Sequence, residues 1–177
     1  MNELPCTVWL TGLSGSGKST LAVALRRRLA DAGRLACVLD GDRVRRGLNR
    51  DLGFSPHDRS ENIRRVAEVA SLVNDAGLLV VTAFISPYAE DRGRAAEIVG
   101  RARFLEVHVD APLATCEERD PKGLYRKARA GEVPEFTGVS APYESPASPD
   151  LRLDTAGPTV EECVDAIVAL LRRRGFA

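Results

Sequence analysis

Gly12-Leu13-Ser14-Gly15-Ser16-Gly17-Lys18-Ser19-Thr20 satisfies the pattern G-x-x-x-x-G-K-[ST] at every defined position. The residues before it, Cys6-Thr7-Val8-Trp9-Leu10-Thr11, form a short apolar run that reads as a buried strand. After it, residues 18–31 carry Leu21, Ala24, Leu25 and Leu29 at helical spacing. Strand, glycine turn and helix in that order is the context the pattern needs. Gly12, Gly15 and Gly17 let the backbone curl until several N–H groups face one point. The helix beginning near Lys18 adds the positive end of its dipole. Lys18 is placed to reach the outer phosphates and is expected to face solvent in an empty loop, while the Ser19 hydroxyl is suited to magnesium. Residues 12–20 are therefore the candidate ATP-binding segment.

Outward from this stretch, strands and helices alternate. Residues 35–39 read as a second strand ending in Asp40-Gly41-Asp42, and a short helix is expected over 43–48. Residues 53–56 read as a loop. Ser60 is the expected N-cap of a helix that buries Ile63, Val66, Ala67, Ala70 and Val73, with Gly77 as its stop. Residues 78–85 form the most apolar run and predict a central parallel strand. A polar helix over 88–99, a strand over 104–109 and a helix over 112–119 follow. Residues 151–153 predict a fifth strand, and Thr159 with Glu162 forms a capping box for the last helix. The expected fold is α/β: one domain over 1–177, of the P-loop NTPase type, with a parallel sheet of about five strands and helices on both faces. Ligands should collect at the carboxyl ends of the strands.

Residues 120–150 differ in character. Pro121, Gly123, Gly131, Pro134, Gly138, Pro142, Pro146 and Pro149 interrupt long elements, and Lys122, Arg126, Lys127 and Arg129 make the stretch basic. A long irregular segment in a compact domain is usually functional. In a kinase it would serve as a lid over phosphates, here about residues 120–137. Its glycines and prolines predict no stable core of its own.

Charge and cysteine usage exclude other classes. The chain balances 25 basic against 25 acidic residues, which argues against a general nucleic-acid binder. Cys6, Cys37, Cys116 and Cys163 lie far apart with no C-x-x-C pair, so neither a disulfide framework nor a zinc site is expected. No apolar run approaches the length needed to span a bilayer. No signal peptide precedes the first strand, and a cytoplasmic setting is expected.

Phosphoryl transfer requires positioning and charge neutralisation more than covalent chemistry. Asp40 ends an apolar strand expected to lie beside the phosphate-loop strand, where a magnesium or base carboxylate belongs. Asp110 also ends a strand and is a rival, but Asp42 and two arginines follow Asp40 at once. The cluster Arg43, Arg45, Arg46, Arg50, Arg59, Arg64 and Arg65 should place some members in the cleft, since an anionic acceptor needs bidentate partners. His57 and His108 are isolated; His108 alternates with apolar residues and reads as structural. These features imply a small P-loop kinase with an anionic acceptor and leave the acceptor unnamed.

Several segments in order closely resemble the adenylylsulfate kinase family. They are residues 10–20, Leu39-Asp40-Gly41-Asp42, Leu52-Gly53-Phe54-Ser55, Asp58-Arg59-Ser60-Glu61-Asn62-Ile63-Arg64-Arg65, Phe84-Ile85-Ser86-Pro87-Tyr88, Arg119-Asp120-Pro121-Lys122-Gly123-Leu124-Tyr125 and Phe136-Thr137-Gly138. The resemblance implies transfer of the γ-phosphate of ATP to the 3′-hydroxyl of adenosine 5′-phosphosulfate, in sulfate activation. It implies that Arg45, Arg59 and Asn62 hold the phosphosulfate and ribose. Phe54 and Phe136 would sandwich the adenine, Ile85 and Ser86 would line its pocket, and Lys122 and Lys127 would belong to the lid. Lys18, Asp40 and Asp42 would carry the chemistry, with Ser19 and Asp40 serving Mg2+. Asp40 would hold that ion through water or accept the 3′-hydroxyl proton. Ser86 is sometimes regarded in the family as a phosphorylated intermediate; direct in-line transfer is preferred here, because no base stands beside Ser86 in the sequence. A homodimer without membrane or nucleic-acid partners, functionally linked to a separate ATP sulfurylase, goes with the same resemblance. Two departures are visible: Arg43 stands where the family usually has Asn, and almost no arm precedes the first strand. The alternative is a related P-loop kinase for another anionic or sugar acceptor, which would not need Phe54 and Phe136 as a base clamp. A GTPase would want an Asn-Lys pair, and none occurs.

Overall fold

The computed structural model describes residues 4–176. Five parallel strands form one sheet: β1 (Thr7–Thr11), β2 (Ala36–Asp40), β3 (Leu79–Ala83), β4 (Phe104–Asp110) and β5 (Leu151–Asp154), in the order β2-β3-β1-β4-β5. The phosphate-loop strand β1 is central. Thr7 pairs with Val80 on one side and with Phe104 on the other.

The helices are α1 (Lys18–Asp31), α2 (Gly41–Arg46), α3 (Pro56–Asp75), α4 (Ala89–Val99), α5 (Leu113–Arg119), α6 (Leu124–Arg129) and α7 (Val160–Arg173). Side chains of successive strand residues face opposite sides. On one side, Val8, Leu10, Val81 and Val107 meet Leu21 and Leu25 of α1 and Ile167 and Leu171 of α7. On the other, Trp9 and Val80 meet Ile63, Val66 and Ala67 of α3 and Ala95 and Val99 of α4. The expected capping box closes α7: the Glu162 amide donates to Thr159 Oγ1 at 3.2 Å, and the Thr159 amide donates to Glu162 Oε2 at 2.7 Å.

Three sequence expectations need correction. First, β2 does not neighbour β1; it sits at the sheet edge, paired only with β3. β3, fully buried like β1, takes the interior place beside it, and the half-buried β2 takes the edge. Second, α3 begins at Pro56 and not at Ser60. Ser55 is the cap, its hydroxyl accepting from the Asp58 amide, and proline occupies the first turn, where its missing N–H costs nothing. Ser60 lies inside the helix and donates to Asp91 Oδ2 at 2.9 Å. Third, residues 120–137 do build a small core. Tyr125 and Ala128 of α6 pack with Phe136, Ala111 and Cys116, and the Tyr125 ring meets Phe136 edge-on at 5.0 Å. The four cysteines are free thiols. Among the described residues, no helix is long and apolar enough to cross a membrane.

Candidate active site

A cavity of about 980 Å³ opens at the carboxyl ends of the strands. Its floor is the loop between β1 and α1. Gly12 passes so close to β4 that a side chain would not fit: a Cβ there would stand 2.3 Å from the Val109 carbonyl oxygen. Gly15, at φ +76°, would bring a Cβ to 2.9 Å of the Cys116 carbonyl oxygen. Only glycine permits this close curl.

Lys18 does not face solvent, contrary to expectation. It is 8% exposed, and its Nζ donates to the Gly12 and Leu13 carbonyls at 2.9 and 2.6 Å and to Ser16 Oγ at 3.3 Å. Burial pushes its ammonium down to about 8, and the nearby Lys122 charge adds to this.

Ser19 at the head of α1 donates to Asp40 Oδ2 at 2.6 Å, and Asp40 Oδ1 accepts from the Asp42 amide at 3.0 Å. Asp40 therefore reaches the loop from the edge strand, because β2 ends level with it. The Asp42 carboxylate is paired with Lys122 across the cavity mouth. The rival Asp110 pairs with Arg152 at 2.6 Å and is not part of the cavity wall.

The second half of the wall gathers Arg45, Phe54, Arg59, Asn62, Ile85, Ser86, Lys122 and Phe136, all expected from the sequence. Phe54 is 63% exposed and carries the Arg45 guanidinium over one ring face at 4.4 Å, which leaves the other face open. Phe136 is 8% exposed. Arg59 donates to the Phe54 carbonyl at 2.7 Å, to Thr137 Oγ1 at 2.5 Å and to the Glu135 carbonyl, so it ties α3 to the segment after α6. Asn62 is buried, and its Oδ1 accepts from Asn49 Nδ2 at 2.9 Å. Arg64 and Arg65 are instead ion-paired with Glu61, and Arg65 also with Asp51.

Lys127 lies on α6 in the segment expected to be the lid, exposed and outside the cavity wall. Tyr125 and Ala128 turn one face of α6 inward, which directs Lys127 away from the cavity. The Ser86 hydroxyl is buried and accepts from Trp9 Nε1 at 3.2 Å, behind the cavity wall. His108 is buried and stacks on Tyr143 at 5.9 Å between ring centres, the structural place expected of it.

Sequence reasoning gave no binding role to the far end of the cavity, lined by Arg119, Thr155, Pro158, Thr159, Val160 and Cys163. Arg119 Nη2 donates to the Thr155 carbonyl at 2.6 Å, and Thr155 Oγ1 donates to the Ser16 carbonyl at 2.9 Å. The available signal was positional: this segment follows β5, and every strand's carboxyl end faces the site. Tyr125 was also missed; its hydroxyl donates to the Ser14 carbonyl at 2.9 Å and braces α6 against the glycine loop.

A central strand, a glycine loop, a buried lysine and a serine–aspartate pair define a P-loop phosphotransferase. Comparison with known proteins narrows this. Residues 4–154 match the model of the adenylylsulphate kinase family. The chain is 57% identical over 173 residues to the adenylyl-sulfate kinase of Marinobacter nauticus, covering 98% of this chain and 87% of that protein. It superposes on the Mycobacterium tuberculosis APS kinase CysC, solved in complex with AMPPNP and APS, with a TM-score of 0.93, 50% identity and coverage of 96% and 99% of the two chains. A hexameric APS kinase from Thiobacillus denitrificans matches with a TM-score of 0.75 at 35% identity, covering 99% of this chain and 30% of that one. The chain belongs to the adenylylsulphate kinase family and is an ATP-dependent kinase.

Proposed function

We propose that the protein phosphorylates the 3′-hydroxyl of adenosine 5′-phosphosulfate, and that the two ends of the cavity divide the two nucleotides. ATP lies along residues 12–20, with its base toward Arg119, Thr155 and Pro158. The acceptor lies between Phe54 and Phe136, with Arg45, Arg59 and Asn62 at its polar groups. In the transfer, the 3′-oxygen bonds to the γ-phosphorus, the bond from that phosphorus to the β,γ-bridging oxygen breaks, and ADP leaves. The hydroxyl proton passes to a carboxylate of the Asp40-Gly41-Asp42 turn. Lys18 exchanges the Gly12 and Leu13 carbonyls for phosphate oxygens, so its charge is fixed before the reaction begins.

Ser19 and Asp40 fit magnesium. They are hard oxygen donors 2.6 Å apart at the mouth of the phosphate loop. Among the described residues, no cluster of three or more acidic, histidine or cysteine side chains forms a complete metal cage. Magnesium usually keeps waters and takes phosphate oxygens in addition to one or two carboxylates, so a partial protein donor set suits it. When bound, the ion neutralises charge on the β- and γ-phosphates.

Residues 120–137 act as a lid: Lys122 leaves Asp42 for phosphate, while α6 moves as a packed unit braced by Tyr125. A soluble, cytoplasmic homodimer supplied with acceptor by a separate ATP sulfurylase completes the reading, and light scattering would measure the assembly.

The observation that carries the assignment is the convergence of Phe54, Phe136, Arg45, Arg59 and Asn62 on the cavity that also holds the phosphate loop. A sugar acceptor has no use for two aromatic rings at that end. The test is purified protein with magnesium-ATP and adenylyl sulfate, the product identified by mass. A 3′-phosphorylated nucleotide is expected, and its absence would refute the assignment.

A further inference from the structure

The acceptor side of the cavity contains a strained turn. Ser86 has φ +40°, and it and Glu135 are the positive-φ residues other than glycine among those described. A non-glycine residue in such a region is strained and persists only where its surroundings over-determine it. Ser86 is 2% exposed, and its surroundings are specific. Thr11 Oγ1 donates to the Ile85 carbonyl at 2.7 Å and, having one proton, accepts from the Tyr143 hydroxyl at 3.0 Å.

Arg92 completes the enclosure. It projects from α4, is 3% exposed, and uses all three nitrogens of its guanidinium. Nη1 donates to the Ser86 carbonyl at 2.8 Å, Nη2 to the Glu144 carbonyl at 2.7 Å and Nε to Glu106 Oε1 at 2.7 Å. The Glu144 amide in turn donates to the Pro87 carbonyl at 2.9 Å, and Glu144 Oε2 accepts from the Ala89 amide at 2.7 Å. Ile85, Ser86 and Pro87 line the cavity; Arg92, Tyr143 and Glu144 do not.

Glu144 belongs to the strap that leaves Phe136 and Thr137, residues of the opposite cavity wall. One guanidinium thus joins the carbonyl of one wall to the strap that continues from the other. A plain stabilising ion pair between α4 and β4 would need Glu106 alone. We propose that Arg92, with Tyr143 as its partner on the strap, is a positioning residue for the acceptor. It holds residues 85–87 in their strained turn and sets the distance from that turn to Phe136 and Thr137. This rests on the assignment of that end of the cavity to adenylyl sulfate.

The guanidinium geometry supplies the test, because an ammonium keeps the charge opposite Glu106 but cannot reach two carbonyls at once. Arg92→Lys should raise KM for adenylyl sulfate about tenfold and leave KM for ATP within about twofold. Thermal melting establishes that the variant is folded. Equal changes in both KM values, or no change in the acceptor KM, would overturn the proposal. If Arg92→Lys does not fold, Tyr143→Phe decides: it removes one hydroxyl and should raise the acceptor KM about threefold with KM for ATP unchanged, and an unaltered acceptor KM overturns the proposal. Wild-type protein is assayed alongside. If it makes no 3′-phosphorylated product, the functional assignment itself fails and this inference with it; if it is active and the variants match it, only the inference fails.

Discussion

The glycine loop and the wall proposed for the acceptor line one cavity but are held by different means. In the loop, Lys18 is fixed by Gly12, Leu13 and Ser16, all within six positions of it. In the acceptor wall, Trp9 holds Ser86, Tyr143 reaches Thr11 and Arg59 grips Thr137, at separations of 77, 132 and 78 residues. The cradle of Lys18 itself is therefore local, while Tyr125 and Thr155 brace the loop around it from a distance. A site held by distant partners depends on the sheet order and on the strap, so substitutions there should act on geometry before they act on chemistry.

The loop should give the largest effect. Lys18→Ala removes the charge that meets the transferring phosphoryl group, and kcat should fall about a thousandfold, in line with loss of a strong transition-state contact. Melting should show a folded protein, since Lys18 carries a desolvated charge whose removal leaves no orphaned partner ion. A kcat near wild type would remove the loop from the chemistry and break the comparison.

Asp40 stands where the two regions meet. Asp40→Asn keeps the shape and should lower kcat about a hundredfold while changing KM for ATP only a few-fold. Asp110→Asn should do little, because its carboxylate pairs with Arg152 outside the cavity wall. A larger effect at Asp110 would show that the wrong carboxylate has been placed in the site.

On the acceptor side the expected effects are smaller and selective. Arg59→Ala should lower kcat/KM for adenylyl sulfate about tenfold with ATP affinity nearly unchanged, and Arg59→Lys should restore only part of it. Because Arg59 also bonds Phe54, Glu135 and Thr137, hydrogen exchange at residues 135–137 should accelerate in the same variant. Arg27→Ala, on the exposed face of α1, serves as the contrast and should change neither parameter. If both variants behave alike, the acceptor wall does not depend on Arg59.

The finest distinction is a pH effect confined to the loop. The Lys18 ammonium titrates at about 8 against an ordinary value of 10.5, because burial penalises its charge. Phosphate favours the charged form, so ATP binding above pH 8 must take up a proton. ATP affinity should therefore fall as pH rises from 7 to 9, by up to about tenfold per unit once above the titration point. Calorimetry in buffers of different ionisation enthalpy would detect the proton uptake. Lys18→Met should abolish the pH dependence, and a dependence that survives the substitution would assign it to another group.

Legibility followed the same division. Elements whose signals lie within a few residues were readable: the glycine loop, the Thr159–Glu162 box and the five strands, each found within a residue or two of its observed ends. The start of α3 was read late because its apolar periodicity becomes visible only from Ile63, although Ser55 and Pro56 already carry the cap chemistry. Which face of α6 packs inward was not legible from its charges; Tyr125 and Ala128 decide that by contact with Phe136 and Cys116. The cavity end at Thr155 and Pro158 was missed because no compact motif marks it.

By itself the sequence determined a parallel α/β kinase with a glycine loop at residues 12–20, and through its resemblance to the adenylylsulfate kinases it supplied the residues proposed for the acceptor end. These follow from local rules: glycine conformations, helix caps, apolar periodicity and short motifs. Tertiary structure decided that β3, not β2, lies beside β1, that Lys18 rests on loop carbonyls, and that a buried arginine joins the Ser86 turn to the strap at Glu144. Each of those depends on which distant residues can be buried together, an energy shared across the whole sheet that no short stretch of chain encodes.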